Sequence, residues 1–243
     1  MEETLTETGI VAVVLARMRS RRLPGKPLLP LGEAPVLEQV TRRVRASRFG
    51  KNLVVATSNE PSDAPLRDFC AARDLYCFAG SADNVLERMI QAARMFEANL
   101  VIRCTLNNVL LDPQMLEACV VYARRSGMDY VTVGRLPVGA AVEAMPLRTL
   151  NRLAAYPFDA PIQDFRAALC AHAEAFDPAV LPSPPRLCRP DLSLALETEA
   201  DYRFLSRLYA EVPARANGLI HLEDAIAYAG KTQDEASPLR FAA

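Results

Sequence analysis

Residues 9–26, GIVAVVLARMRSRRLPGK, join an apolar run to a densely basic one. The first seven residues have no polar side chain, which is typical of a strand that is buried on both faces of a parallel sheet. Pro24 and Gly25 indicate a tight turn within the basic part. The basic residues that follow the apolar run are Arg17, Arg19, Arg21, Arg22 and Lys26. The sequence therefore predicts a strand that ends in a cationic loop.

The composition favours a small anion over nucleic acid as the ligand of this loop. The chain has 243 residues, with 28 Lys and Arg against 29 Asp and Glu, and a net charge of -1. Proteins that bind nucleic acid usually present a basic face to the phosphate backbone, and a near-neutral chain argues against that function. We expect the loop to hold a polyphosphate by charge-assisted hydrogen bonds. A solvated charged loop without a ligand is the alternative interpretation.

Beyond this loop, short apolar runs alternate with longer amphipathic ones, which predicts a doubly wound α/β sheet that is mostly parallel. Ligands of such sheets bind at the carboxyl ends of the strands, where the basic loop lies. Helices are predicted over 81–98, with Ser81 as N-cap, over 113–127, with Asp112 as N-cap, and over 199–212. Strands are predicted over 9–15, 52–58, 75–80, 99–105, 129–134 and 192–198.

We expect a single domain over residues 1–243. Between about residues 137 and 190 prolines become frequent and the alternation weakens, so this segment is predicted to be irregular and to support substrate binding or dimerisation. The acidic N-terminus has no signal-peptide core, and no apolar run reaches about 18 residues, which predicts a cytoplasmic protein without a membrane span. The six cysteines show no C-x-x-C spacing, so neither a zinc site nor a redox motif is indicated.

The order of residues in ARMRSRRLPGK (16–26) resembles the triphosphate-binding signature of the cytidylyltransferases that activate acidic sugars. The resemblance is strongest to the group of spore coat polysaccharide biosynthesis protein F, which is related to the synthetases of CMP-KDO and CMP-sialate. Nearly the whole chain takes part, because further stretches resemble the family in order. These are VVATSNEPSDAPL (54–66), FAGSADNVLERM (78–89), VIRCTLNNVLLDP (101–113), LPVGAAVE (136–143) and LSLALETEADY (192–202).

The resemblance implies a nucleotidyltransferase fold of the kind also seen in GT-A glycosyltransferases. It implies that CTP and an acidic sugar give a CMP-sugar and pyrophosphate, with Mg²⁺ as the metal and a homodimer as the assembly. Arg17 and Lys26 would be catalytic, and Gly139 and Glu143 would face the sugar. The implied nucleotide-binding residues are Leu15, Ala16, Arg17, Ser20, Arg22, Lys26, Thr57, Ser58, Gly80 and Ser81.

The positions at which this sequence departs from the family pattern are those that the resemblance assigns to metal binding and substrate binding. The resemblance implies Asn107 and Glu197 as metal ligands, at positions where the family usually has aspartate. Asparagine is neutral and binds Mg²⁺ more weakly than a carboxylate. A loss of about 3 kcal/mol of metal-borne stabilisation would slow the reaction roughly 100-fold. Ala79 and Ala141 replace a common arginine and a common acidic residue, and IQDF (162–165) stands in place of the usual Glu-His pair.

Three functions are compatible with these observations. The first is a sugar nucleotidyltransferase that acts in surface-polysaccharide or flagellin-glycan synthesis. The second is a catalytically impaired relative that binds nucleotide as a regulatory or scaffolding subunit, which Asn107, Ala79 and Ala141 favour. The third is a glycosyltransferase, and it is the weakest because these enzymes commonly use an Asp-x-Asp metal motif, which this chain lacks.

Overall fold

One seven-stranded sheet organises the part of the chain that the computed structural model describes, residues 8–157, 162 and 164–235. The strands are β1 (Ile10–Leu15), β2 (Pro30–Leu31), β3 (Ala34–Pro35), β4 (Leu53–Ser58), β5 (Tyr76–Gly80), β6 (Leu100–Thr105), β7 (Tyr130–Gly134), β8 (Glu143–Pro146) and β9 (Pro178–Pro182). The helices are α1 (Val36–Arg45), α2 (Ala64–Ala72), α3 (Val85–Met95), α4 (Pro113–Ser126), α5 (Leu147–Ala155), α6 (Phe165–Ala171), α7 (Glu199–Glu211) and α8 (Leu222–Glu235). Short 3-10 turns cover Lys26–Leu28, Pro61–Asp63 and Pro185–Leu187.

The strand order in the large sheet is β5–β4–β1–β6–β8–β7–β9. β8 runs antiparallel to its neighbours β6 and β7, and every other neighbouring pair is parallel. β2 and β3 form a separate antiparallel pair. The predicted mostly parallel α/β sheet is therefore confirmed.

Helices cover both faces of the sheet, which makes it doubly wound. Ile10, Ala12 and Val14 of β1 pack in the core layer that includes α1, α4, α7 and α8. Val11 and Val13 of the same strand point to the opposite layer, with α3, α5 and α6. A strand that is buried on both faces has no polar positions, which explains the unbroken apolar run at the start of the chain.

The five strands predicted over residues 9–134 are confirmed within one residue of their predicted ends. The strand predicted over 192–198 is wrong. Its leucines are buried in alternation, as in a strand, but only Ser193 forms a bridge, to Val138. The ladder cannot continue because the neighbouring segment turns away at Gly139, whose φ is 89°.

The segment between residues 137 and 190 is more regular than its prolines indicate. It contributes β8 and β9 to the sheet and also contains α5 and α6. β9 begins at Pro178 and ends at Pro182, and it forms one edge of the sheet. Proline is tolerated at such an edge because an edge strand leaves some of its N–H groups unpaired. Pro161 and Gln163, which belong to this segment, lie outside the described residues.

Two helix starts were predicted from their caps, and one of them is wrong. Asp112 accepts hydrogen bonds from the backbone of Gln114 and Met115, as predicted for the N-cap of α4. The N-cap of α3 is Asn84 rather than Ser81, and Asn84 Oδ1 accepts from the Glu87 amide at 2.9 Å. Ser81 lies before the helix, where its Oγ accepts from the Asn84 amide at 3.2 Å and its carbonyl oxygen accepts from the Arg88 side chain.

Candidate active site

The basic loop lies at the centre of the carboxyl edge of the sheet, directly after β1. Its backbone closes on itself, since the amides of Ser20 and Gly25 both donate to Met18 O, at 3.1 and 3.0 Å. Gly25 has a φ of 73°, which an L side chain rarely adopts. Ser20 Oγ accepts from the Leu23 amide at 3.2 Å. Ser20, which is predicted to bind the nucleotide, therefore also stabilises the conformation of the loop.

Asp63 connects the basic loop to the end of β4. Its side chain is fully buried and accepts a hydrogen bond from the Met18 amide at 2.7 Å. It also accepts from the hydroxyl and the amide of Ser58, and its Oδ2 lies 3.8 Å from Arg17 Nε. Burial alone would raise the pKa of Asp63, but the hydrogen bonds from Ser58 and Met18 outweigh it and hold that pKa below its ordinary value. Asp63 has no role that the sequence pattern alone would indicate.

Four of the predicted site residues meet in one cluster of hydrogen bonds and ion pairs. Lys26 Nζ donates to Asn107 Oδ1 at 2.6 Å and to the backbone oxygen of Leu196 at 2.7 Å. Asn107 Nδ2 donates to Glu197 Oε1 at 2.9 Å. Arg22 Nη1 lies 2.6 Å from Glu197 Oε2. The loop after β1, the turn after β6 and the segment before α7 are thus joined by these side chains.

Lys26 is the cation with the most perturbed environment in this cluster. Its side chain is buried, and burial lowers the pKa of the ammonium from 10.5 to about 8. The negative charge of Glu197 opposes this shift, and the positive charge of Arg22 adds to it. A lysine that is incompletely solvated interacts strongly with any anion that reaches it.

The predicted metal ligands are adjacent, but their atoms do not fit a magnesium ion held by the protein. Glu197 is the one carboxylate of the pair, and its two oxygens face Asn107 Nδ2 and Arg22. The amide oxygen of Asn107 accepts from the Lys26 ammonium. Among the described residues no three His, Cys, Asp or Glu side chains are grouped as metal ligands. Mg²⁺ prefers anionic oxygens, and this donor set offers it a single charge.

The predicted nucleoside side lies at the ends of β4 and β5. Thr57 and Ser58 pair in register with Ala79 and Gly80, and both are buried. The Ser58 hydroxyl is committed to Asp63. Leu15 and Ala16, at the end of β1, are half-buried and buried respectively.

Two guanidinium groups hold the turn that follows β5. Arg17 donates to the backbone oxygen of Ala82 through Nη1, and Arg88 donates to the same oxygen at 3.0 Å. Burial lowers the pKa of Arg88, and the nearby positive charge of Arg17 adds to that shift. Arg88 is a site residue that the sequence pattern alone did not indicate. Arg19 and Arg21 are exposed and form no ion pair with the residues that the structure describes.

The two predicted sugar-facing residues have structural contacts of their own. A Cβ atom on Gly139 would lie 2.4 Å from the Cα of Ala195, so a glycine is needed where these two segments pack. Glu143 is the first residue of β8 and forms an ion pair with Arg103. Its other carboxylate oxygen accepts from the Tyr130 hydroxyl at 2.8 Å. Glu143 lies at the carboxyl side of the sheet, on the far side of β1 from β4 and β5.

Comparison with known proteins identifies the family of this chain. The sequence profile described as cytidylyltransferase matches residues 11–176. The chain belongs to the cytidylyltransferase family. It is 30% identical over 213 residues to spore coat polysaccharide biosynthesis protein SpsF of Bacillus subtilis (strain 168), which covers 85% of this chain and 88% of that protein. It is 27% identical to a 3-deoxy-manno-octulosonate cytidylyltransferase of Anaeromyxobacter sp. (strain K), over 65% of this chain and 66% of the relative.

Solved structures of cytidylyltransferases share the fold. A cytidylyltransferase from Leptospira borgpetersenii superposes with a TM-score of 0.82 at 22% identity, over 96% of this chain and 100% of the other. A CMP:2-keto-3-deoxy-manno-octonic acid synthetase, solved with CTP, superposes with a TM-score of 0.65 at 15% identity, over 84% of this chain and 99% of the other. Within the described residues, no helix combines the length and the apolar character that crossing a bilayer requires.

Proposed function

We propose that this cytidylyltransferase transfers CMP from CTP to an acidic sugar and that the product serves polysaccharide synthesis. Membership of the family supports the reaction class, and the names of the SpsF and octulosonate relatives support the substrate class. The observation that carries the proposal is the buried Lys26 ammonium beside Arg22, at the end of β1. A cation in this position, at a site of low effective dielectric, is suited to hold a triphosphate.

The proposed reaction breaks the bond between the α- and β-phosphates of CTP. A hydroxyl oxygen of the sugar bonds to the α-phosphorus, its proton is released, and pyrophosphate leaves. Lys26, Arg22 and Arg17 would bind the phosphates, with Ser20 shaping the loop around them. Negative charge develops on the phosphate oxygens as the bond breaks, and fixed cations stabilise that charge.

Arg22 forms an ion pair with Glu197, and the Lys26 ammonium donates a hydrogen bond to the uncharged amide of Asn107. We propose that the triphosphate displaces these contacts, because its charge exceeds that of the single carboxylate. We further propose that any magnesium ion enters on the triphosphate, since the protein offers it one carboxylate. A homodimer in the cytoplasm remains our proposal from the family resemblance.

Pyrophosphate release tests the proposed function directly. The protein is incubated with CTP, Mg²⁺ and a panel of acidic sugars, and Arg22→Ala is assayed beside it. We expect release that depends on the sugar and that falls in the variant. CTP binding by calorimetry without any pyrophosphate release would instead support the regulatory or scaffolding alternative, which the neutral Asn107 favours. If neither protein binds CTP, the proposal is wrong.

The depressed pKa of Lys26 predicts a pH dependence of CTP binding. The ammonium binds the triphosphate only when protonated, so affinity is full below a pH of about 7 and falls as pH rises through about 8. For a group with this pKa the protonated fraction changes about tenfold between pH 7 and 9. We therefore expect about tenfold weaker CTP binding at pH 9, measured by calorimetry.

Lys26→Arg provides the control for this dependence. The guanidinium stays charged across the whole range, so its binding curve should be nearly flat between pH 7 and 9. A wild-type affinity that does not change over this range would show that the Lys26 proton is not required for binding.

Asn107→Asp should convert the cluster into a metal site held by the protein. The new carboxylate would face Glu197 where an N–H donor now stands at 2.9 Å. Two carboxylates so close repel each other, and a divalent cation between them relieves the repulsion. We expect Mg²⁺ or Mn²⁺ affinity to rise at least tenfold, measured by thermal shift without nucleotide, and turnover to rise with it.

The matched variant Asn108→Asp changes the adjacent asparagine, whose side chain donates to Ala141 O instead of facing Glu197. It should not acquire metal affinity. A wild type that already binds metal without nucleotide as tightly as Asn107→Asp would contradict our assignment of this cluster.

A further inference from the structure

Arg103 is a cationic residue near the carboxyl ends of the strands. It does not belong to the proposed triphosphate site. It is the fourth residue of β6, where it pairs in register with Val13 of β1 and with Glu143 of β8. Its side chain is 19% exposed. A charged residue within an otherwise apolar strand requires partners, because burying an unpaired charge is costly.

Two direct contacts fix the position of the Arg103 side chain, and a third contact holds its carboxylate partner. Nη1 donates to one oxygen of Glu143, and the Tyr130 hydroxyl holds the other oxygen of that carboxylate at 2.8 Å. The guanidinium carbon lies 4.9 Å from the centroid of the Phe165 ring, a cation–π contact. Phe165 is itself buried, so its ring is a fixed surface against which the guanidinium packs. The group is therefore pre-organised before any ligand arrives.

These contacts leave much of the donor capacity of Arg103 unused. A guanidinium has five N–H donors. Among the described residues only Nη1 of Arg103 has a hydrogen-bond partner, and Nε is buried without one. Both oxygens of Glu143 are engaged, by contrast. Within the part of the chain that the structure describes, the Arg103 guanidinium of this pair therefore keeps free N–H donors, whereas the Glu143 carboxylate has no oxygen without a partner. Free N–H donors on a cation favour an anionic ligand.

The order of the strands indicates which substrate supplies that anion. The predicted nucleoside residues lie on β4 and β5, and the basic loop follows β1. Arg103 and Glu143 lie on β6 and β8, on the opposite side of β1. The triphosphate has its own cations in the loop, so the anion that reaches Arg103 belongs to the acceptor.

We propose that Arg103 binds the carboxylate of the acceptor sugar and that Glu143 is the residue that positions Arg103. This inference rests on the proposed function, in which the acceptor is an acidic sugar. Arginine binds carboxylates through parallel N–H donors, which distinguishes an acid from its uncharged derivative. Loss of a hydrogen bond between charged groups weakens binding by about 10- to 100-fold.

A charged and an uncharged form of one sugar provide the test. The probes are 3-deoxy-manno-octulosonate and N-acetylneuraminate, each with its methyl ester, and the KM of each is measured at saturating CTP. Wild type should prefer the acid that it uses over the ester. In Arg103→Gln the KM for the acid should rise about 10- to 100-fold, with the KM values for the ester and for CTP unchanged.

Variants of the neighbouring residues separate a binding role from a structural one. Arg103→Lys keeps the charge and should lose less than Arg103→Gln, which keeps the inference testable if Arg103→Gln does not fold. Glu143→Gln keeps the shape that positions Arg103 and should retain the preference for the acid. Arg94→Gln removes an exposed arginine of α3 and should change nothing. The inference would be overturned by two results together. The KM for the acid and the KM for the ester would rise equally in Glu143→Gln, and neither KM would change in Arg103→Gln or Arg103→Lys.

Failure of the proposed function gives a different result from failure of this inference. If no sugar of the panel forms a CMP-sugar, the transfer reaction is wrong, and calorimetry of the free acids with the CTP-bound protein decides the role of Arg103. A tenfold or greater loss of acid binding in Arg103→Gln supports the inference. Equal binding by both proteins, or no binding by either, overturns it.

Discussion

Lys26→Met should reduce kcat/KM for CTP by about 100- to 1000-fold, which is the usual effect of removing one donor to a developing oxyanion. The side chain keeps its length but loses the ammonium that donates to Asn107 and to Leu196 O. The triphosphate then meets Arg22 alone at this side of the loop, and Arg22 is exposed and paired with Glu197. Pyrophosphate release measures the loss of turnover, and calorimetric titration with CTP measures the loss of binding affinity.

This variant should lose function without losing its fold. Burial disfavours the charged form of Lys26, as its lowered pKa shows, so an apolar side chain there removes a desolvation cost. We expect the Tm of Lys26→Met to stay within about 3 °C of wild type. Lys51→Met, which changes an exposed lysine before β4, is the matched control and should bind CTP normally. Unchanged CTP affinity in Lys26→Met would place the triphosphate elsewhere.

The sequence pattern was sufficient to predict the sheet and the position of the basic loop at its carboxyl edge. Strands that are buried on both faces have an apolar pattern that does not depend on their partners, and parallel strands bring their carboxyl ends together. The family resemblance, by contrast, assigned Asn107 and Glu197 to one metal site, and the structure joins these two side chains by a hydrogen bond although 90 positions separate them. The strand prediction over 192–198 was wrong because the buried leucines of this segment alternate as in a strand. The segment beside it, at Val138, turns away at Gly139 and cannot continue the pairing.

The hydrogen-bond partners of these residues could not be predicted, because a charged residue type does not identify which particular side chain it will contact. Asp63 stands in the polar stretch SNEPSD, which is typical of a solvated turn, and only the fold shows that it is buried. Arg103 did leave a signal, since it is the single charge within VIRCT, in a strand predicted to be covered on both faces. Such a charge implies an opposite one nearby, and Glu143 supplies it on β8.

Asp63→Ala should destabilise the protein by about 3–5 kcal/mol, because it removes the charged acceptor of the Met18 amide and of the Ser58 amide and hydroxyl at a buried position. The Met18 amide would lose its acceptor at 2.7 Å, and Arg17 would lose the carboxylate beside its buried Nε. Both losses fall on the first residues of the basic loop, so CTP binding should weaken as well. Urea unfolding gives the stability, and calorimetry at a temperature where the variant is folded gives the affinity.

Two further variants make the cause specific. Asp63→Asn keeps an acceptor for Met18 but loses the charge, so a smaller loss of about 1–3 kcal/mol is expected. Asp68→Ala changes an exposed carboxylate on α2 and should stay within about 0.5 kcal/mol of wild type.

The lowered pKa of Asp63 also fixes the sign of the pH dependence of stability. Its contribution is complete above a pH of about 4 and is lost as pH falls below that value, because the unfolded state then binds the proton first. The stability gap between wild type and Asp63→Asn should therefore narrow below pH 4, and a gap that stays constant down to pH 3 would show that the Asp63 charge does not stabilise the loop.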